Sequence, residues 1–486
     1  MSVTRRTEGS QDADISLTGN TAPSSIAGAV SPRDALPISV ADLFSTEQTW
    51  QTWLDIEAAL ALSQASLGLI PQQHAQRIAA HASLQHLDLA ALREDIQRTM
   101  APVLSVVHAL AHACGDEAGG YVHWGGTTQN IILGGRVLQM RRVHRLLLAR
   151  IGRSLDTLAT LAEVSADAVM AGRTNRKHAL PITFGFKVAS WIEELTRCVQ
   201  RFHQVEPRVF SLVFGGAIGA MHTFGADGME LANAIAERLE LGSPLVHSRA
   251  MLDPFCEYVL VLSLFAMTCS RIGNELYTLM ADEIGEVAES LPDGVVGSST
   301  MPHKDNPKHV VSLIARAARL RALAAPALEA GQPSHEGDSA TNQQLYSLID
   351  EACPLAYDIA VKLDGLLALI RFDAARMREN LARSADVIAS EHLMMVLATT
   401  LGRQHAHDRV HAAIRESRRA GRPLADVLMA QLDVATHYTR EQIVQALDPA
   451  LYTGNSRDIA LQAAAMARRV ATDLSTGAAA QPTSAG

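Results

Sequence analysis

Apolar residues recur every three to four positions over most of this chain, the period of one buried helical face. WLDIEAALALSQASLGLIP, residues 53–71, keeps that period and stops at Gly68 and Pro71, which favour leaving a helix. TLATLAEVSADAVMAG, residues 157–172, predicts a helix ending at Gly172. Residues 185–205, 255–290, 308–330 and 343–371 each read as one long helix. No strand–turn–strand rhythm competes with them. The fold class is therefore all-α, built around a central bundle of long helices. The divisions expected are a disordered leader over 1–38, an N-terminal helical domain over 39–120 and a central bundle over 121–371. A C-terminal helical domain over 372–474 and a disordered tail over 475–486 complete them.

Composition agrees with that pattern. Of 486 residues 48% are hydrophobic but only 4% aromatic, and Ala and Leu favour helices over strands. The formal net charge of −9 comes without a long basic run, which argues against nucleic acid as a partner. An anionic ligand must then find its positive charge residue by residue. The most apolar run, YVLVLSLFAMTCS at 258–270, lies between Glu257 and Arg271 and falls short of the ~20 residues of a membrane span. It reads as a core helix, and no membrane partner is expected. The N-terminal MSVTRRTEGSQDADISLTGN has no apolar core of the secretory kind. Five cysteines without a Cys-x-x-Cys pair read as buried, reduced thiols in a cytoplasmic protein. The histidines show no ligand spacing, so neither a metal nor an organic cofactor is expected. Several long apolar helices in mid-chain are more than one bundle covers, which points to association of subunits.

Three polar segments interrupt the helices: HWGGTTQNI at 123–131, GRTNRKHALPITFG at 172–185 and GSSTMPHKDNP at 297–307. Each combines glycine with hydroxyl, amide or basic groups. Backbone amides and Thr hydroxyls at a helix start suit a carboxylate, because unpaired N–H groups and the helix dipole both favour negative charge.

GSSTMPHKDNP resembles the signature loop of the fumarase/aspartase superfamily, and the other two segments are similar to its two further shared regions. LDIEAALA, EIGEVAE and the stretch from Met377 to Glu416 extend the resemblance over about residues 39–470, nearest to the branch of adenylosuccinate lyase and 3-carboxy-cis,cis-muconate cycloisomerase. The resemblance implies a three-domain subunit, a homotetramer with active sites shared between subunits, a small polycarboxylate substrate and β-elimination. It also implies that the 297–307 loop closes over substrate. By position in the motifs, Ser298 is the candidate base, while Lys304 and Asn306 stabilise the aci-carboxylate. Thr127, Thr128 and Asn130 match the carboxylate-binding turn, with Asn130 where relatives carry aspartate. His123, Arg173, Thr174, Asn175, Ser299 and Met301 complete the candidate substrate contacts. Arg173 matches a residue able to pair bidentately with a carboxylate, a substrate's or the protein's own.

The departures bear on the leaving group. After GRT, adenylosuccinate lyase-like chains have a histidine that resembles a general acid, and muconate cycloisomerases a tryptophan; here stands Asn175. RTMAPVLSVV, residues 98–107, offers no second histidine either. An amine must be protonated to leave, whereas a carboxylate or nitrite need not be. The expectation is a lyase releasing fumarate and a weakly basic anion from a substituted succinate, as from nitrosuccinate. The alternative is 3-carboxy-cis,cis-muconate cycloisomerase. A C–N lyase using His178 or Lys177 as a displaced acid, or a non-catalytic structural homologue, ranks behind both. Arg176 and Lys177 add positive charge, and Asp305 stands where relatives often have arginine.

Overall fold

A computed structural model of the chain describes residues 39–291 and 294–476, apart from the side chains of residues 385 and 386. The expected leader and residues 477–486 lie outside them, while Ser475 and Thr476 are the last residues of a helix and not of a tail.

The first unit holds α1 (Thr46–Ser66), α2 (Gln72–His81), α3 (Leu89–Thr99), α4 (Pro102–Cys114) and α5 (Asp116–Gly119). Local chemistry sets their ends. The Ser45 hydroxyl accepts from Gln48 N, Asp88 accepts from Ala90 N and Ala91 N, and Pro102 opens α4 where no amide hydrogen is missed. Leu54, Ile56, Ile78 and Leu110 meet in its core.

The centre consists of α6 (Thr128–Val164), β1 (Val169–Thr174), β2 (Lys177–Thr183), α7 (Phe184–Val209), α8 (Gly228–Arg238), α9 (Asp253–Leu279), β3 (Val287–Glu289), α10 (His309–Arg321), α11 (Ala324–Ala330), α12 (Ser339–Leu369) and β4 (Ile370–Phe372). The 37 residues of α6 run about 55 Å. Ile151 and Leu155 of α6, Trp191 of α7, Phe265 of α9, Leu313 of α10 and Ile349 of α12 are fully buried in one core. By length and composition α9 could cross a membrane, but 67% of its most apolar window is buried within this fold.

The last part holds α13 (Ala374–Ala382), α14 (Ala385–Ile388), α15 (Ser390–Leu401), α16 (Arg403–Ala420), α17 (Leu424–Met429), α18 (Leu432–Ala435), α19 (Arg440–Ala446) and α20 (Ser456–Thr476). Helices α15 to α19 enclose a small core around Leu393, Leu397, Leu428 and Ile443. Helix α20 returns to α6 and α7 and puts Ala464 and Ala467 into the central core, so part of the 372–474 segment belongs with the bundle.

Four expected helices differ. The helix read over 157–172 stops at Val164, and β1 pairs antiparallel with β2. Thr174 faces Lys177 across a two-residue turn in which Asn175 (φ +49°) and Arg176 (φ +62°) are both left-handed, the type I′ geometry that matches strand twist. Pro181, opposite Ala171, also bars a helix there. The helix read over 255–290 ends at Leu279, and the one over 343–371 at Leu369, because Val287–Glu289 pairs with Ile370–Phe372. The helix read over 308–330 breaks between Arg321 and Ala324.

Candidate functional site

The first polar segment leads into α6. His123 takes a left-handed backbone (φ +57°), and its Nδ1 lies 2.5 Å from Oε1 of Glu57, a buried carboxylate on α1. Burial alone lowers the His123 pKa, but the hydrogen bond and charge of Glu57 outweigh it and the net shift is upward. Gly125 (φ +71°) sits so close to the Phe224 ring that a Cβ would approach it to 2.6 Å. Thr127 is the N-cap residue of α6 without a side-chain capping bond, and its hydroxyl stays available next to the helix amides. Thr128 is exposed. Asn130 is not: it is fully buried, and its Oδ1 accepts from Gly216 N at 2.9 Å. Its side chain holds the 215–219 loop, an inward role that the motif did not reveal.

The second segment is the β1–β2 hairpin. Arg173 donates through Nη1 (2.9 Å) and Nη2 (2.6 Å) to the carboxylate of Glu286, whose side chain has no exposure. Asn380 Nδ2 donates to the same carboxylate at 2.9 Å. Of the two carboxylates open to Arg173 by sequence, the protein's own is the one it holds. Thr174, Asn175, Arg176 and Lys177 are exposed at the hairpin tip. His178 Nδ1 lies 2.7 Å from Ser384 Oγ, and burial, then the Arg173 charge, push its pKa down. That shift favours the uncharged imidazole.

The third segment joins β3 to α10. The Ser298 hydroxyl oxygen accepts from Met301 N at 3.1 Å, and Lys304 N donates to Met301 O at 3.0 Å. Asn306 Nδ2 donates to Gly297 O at 3.1 Å, drawing the two limbs of the loop together. A Cβ on Gly297 would collide with Asp305 and with the Lys304 carbonyl. Ser299, Met301 and Lys304 are exposed, and Ser298 and Asn306 are half-buried. Asp305 lies exposed, with its side chain against Gly297.

Among the described residues, no hydrogen bond or ion pair joins any two of these segments. Each finds its partners elsewhere: Glu57 and Gly216 for the first, Glu286 and Ser384 for the second, and the loop itself for the third. Glu57, Glu286 and Asn380 escaped sequence reasoning. A lone glutamate in the apolar LDIEAALA face was the available signal for Glu57, because a buried carboxylate needs a partner. Among the described residues, no group of three or more His, Cys, Asp or Glu is placed to hold a metal ion.

The Lyase family profile matches residues 37–321, and that of the adenylosuccinate lyase C-terminus matches residues 386–463. N-acetyl-S-(2-succino)cysteine lyase of Enterococcus italicus is 34% identical, over 85% of this chain and 93% of its own. Trans-aconitate decarboxylase 1 of Mycosarcoma maydis is 35% identical over 86% of each chain. The crystal structure of 3-carboxy-cis,cis-muconate lactonizing enzyme from Pseudomonas putida superposes with a TM-score of 0.80 at 33% identity, covering 89% of this chain and 97% of that one.

Proposed function

This chain belongs to the fumarase/aspartase superfamily of lyases, and we propose that it eliminates a weakly basic anion from a small substituted succinate and releases fumarate. Ser298 Oγ, ionised with help from the Lys304 charge, takes the proton from the carbon next to a carboxylate. The electron pair of that C–H bond becomes the double bond, and the bond to the leaving group breaks with its electrons. Lys304 and Asn306 face the aci-carboxylate that forms on the way. Thr127, Thr128 and the α6 amides hold a second carboxylate, and Ser299 and Met301 flank the base.

One observation carries the choice of leaving group. The exposed hairpin tip holds Asn175 where an acid would stand, and burial and Arg173 lower the pKa of nearby His178. That arrangement leaves an amine unprotonated but serves nitrite, carboxylate or a thiolate. The Enterococcus relative, named for a succinyl thioether, fits the same class. The likeness to the P. putida enzyme keeps lactonisation of 3-carboxymuconate, whose reverse ring opening expels a carboxylate, as the second reading.

The separation of the three segments within one chain supports a site completed across a homotetramer. Exposed Leu264, Met267 and Tyr277 on α9 and Val311 on α10 supply apolar contact surface. Five buried free thiols fit the cytoplasm.

The test is a product assay. Nitrosuccinate, N-acetyl-S-(2-succino)cysteine, adenylosuccinate, argininosuccinate, aspartate and 3-carboxymuconate are offered separately to the purified protein, and fumarate and muconate are followed. Fumarate from nitrosuccinate or the thioether, with none from the amines, is expected. Fumarate from adenylosuccinate would overturn the leaving-group argument, and turnover of the muconate alone would establish the second reading. Ser298→Ala is expected to lose about 10²–10⁴-fold in kcat, and a fully active variant would remove Ser298 as the base.

A further inference from the structure

The segment carrying Ser298, Lys304 and Asn306 leaves the fold at Glu289, the last residue of β3, and re-enters at Lys308, the N-cap residue of α10. One side chain joins these two points. Glu289 Oε2 accepts from Lys308 N at 2.8 Å and from His309 N at 3.0 Å, and Oε1 accepts from Val310 N at 2.8 Å. Lys308 itself makes no side-chain cap, so a residue distant in sequence supplies the cap of α10. The departing limb is held by backbone: Glu289 pairs with Ile370, and Ser290 N donates to Leu369 O at 2.8 Å. Between these anchors, the side-chain bonds of the described loop residues turn back on the loop itself: Ser298 with Met301 and Asn306 with Gly297. Residues 297–306 are thus tied to one another, while Glu289 joins the point where the segment leaves the fold to the point where it returns.

We infer that Glu289 is a positioning residue for the elimination: its carboxylate ties both ends of the 290–307 segment together and so aims Ser298, Lys304 and Asn306 as one unit. The inference rests on the reading of that segment as the reacting loop. The residue type follows from the chemistry. A carboxylate accepts at both oxygens and donates at neither, so it satisfies three N–H groups and its charge suits a helix N-terminus. The amide of a glutamine would turn an N–H toward one of those donors.

Glu289→Gln, nearly isosteric, is the informative variant, compared with Glu289→Asp and Ser298→Ala in the full chain. Two readouts are used. Hydrogen exchange in Glu289→Gln is expected to speed up at Lys308, His309 and Val310 and also across 297–306, while Ser298→Ala leaves residues 308–310 unchanged. With nitrosuccinate as substrate, kcat is expected to fall about 10- to 100-fold, because small misplacements of reacting groups are costly. KM is expected to change by no more than about threefold, and Glu289→Asp, which keeps the charge, to recover part of kcat. Faster exchange confined to 308–310, parental kcat in Glu289→Gln, or a loss that only follows the unfolded fraction would each overturn the inference. A fully active Ser298→Ala would instead refute the reading of the loop, and the inference with it.

Discussion

Replacing Arg173 by alanine separates two roles that the motif left open. In the structure its guanidinium forms two bonds to Glu286, whose carboxylate has no exposure, while the Arg173 side chain is 17% exposed. Removing the arginine leaves a buried anion with Asn380 Nδ2 as its remaining side-chain donor. Breaking a buried pair from one side costs about 3–5 kcal/mol. The Asn380 bond and the partial exposure of Arg173 place this case at the lower end, about 3 kcal/mol. The assay is urea denaturation followed by circular dichroism, with attention to an unchanged m-value. Adding Glu286→Gln to Arg173→Ala is expected to recover part of the loss, because the uncompensated charge disappears. Glu286 directly precedes β3, so kcat is expected to fall in the single variant as well. Stability within about 0.5 kcal/mol of the parent, together with a raised KM, would refute this reasoning. Arg173 would then bind substrate and the Glu286 pair would contribute nothing.

Two further outcomes follow from the same kind of accounting. His144, buried between Tyr258 Oη at 3.1 Å and Glu206 at 2.9 Å, is held below the ordinary histidine value by burial, as are His178 and His247. As pH falls below the ordinary value of 6.5 the unfolded chain binds protons that these three folded imidazoles resist, so their contribution to stability is lost. His123, shifted upward, has the opposite sign, contributing below 6.5 and fading as pH rises through its folded value. Burial raises the pKa of Glu206, but its bonds to His144 and His203 outweigh that and leave it at about 2, so it adds no slope above about pH 5.5 and its own contribution is lost only at lower pH. The urea midpoint is expected to drop between about pH 7.5 and about pH 5.5, and His144→Gln to flatten the drop; an unchanged slope would count against the argument. At the hairpin tip, Asn175 has φ +49°. Asn175→Gly is expected to stay within a few tenths of a kcal/mol of the parent and Asn175→Val to cost about 1–2 kcal/mol, read by thermal denaturation; equal effects would contradict the type I′ turn.

Much of the architecture is legible in local spacing. The apolar run of α1, the amphipathic period of α7, the stop at Gly68 and the Gly/Pro-punctuated 297–307 loop all depend on residues within a turn or two of one another, and so does the capping box of Thr439 and Gln442 that starts α19. The same locality explains why the polar residues of the three segments could be singled out at all: a run without apolar rhythm cannot bury a helical face. The alternation at 169–183 was obscured because Val, Met and Ala fit a helix as well as a strand, and the turn uses Asn-Arg and not Asn-Gly.

Sequence alone thus determined the helical class and the polar loop that interrupts it, since each depends on neighbours along the chain. Tertiary structure alone decided that Val287–Glu289 is a strand, because its ladder partner Ile370–Phe372 is remote in sequence. It also decided that Asn130 faces inward, that Arg173 is engaged by Glu286 and that Glu289 caps α10. The physical reason is the same in each case. A buried polar group must find a partner, and which partner it finds depends on which segments the packing of the helices brings together.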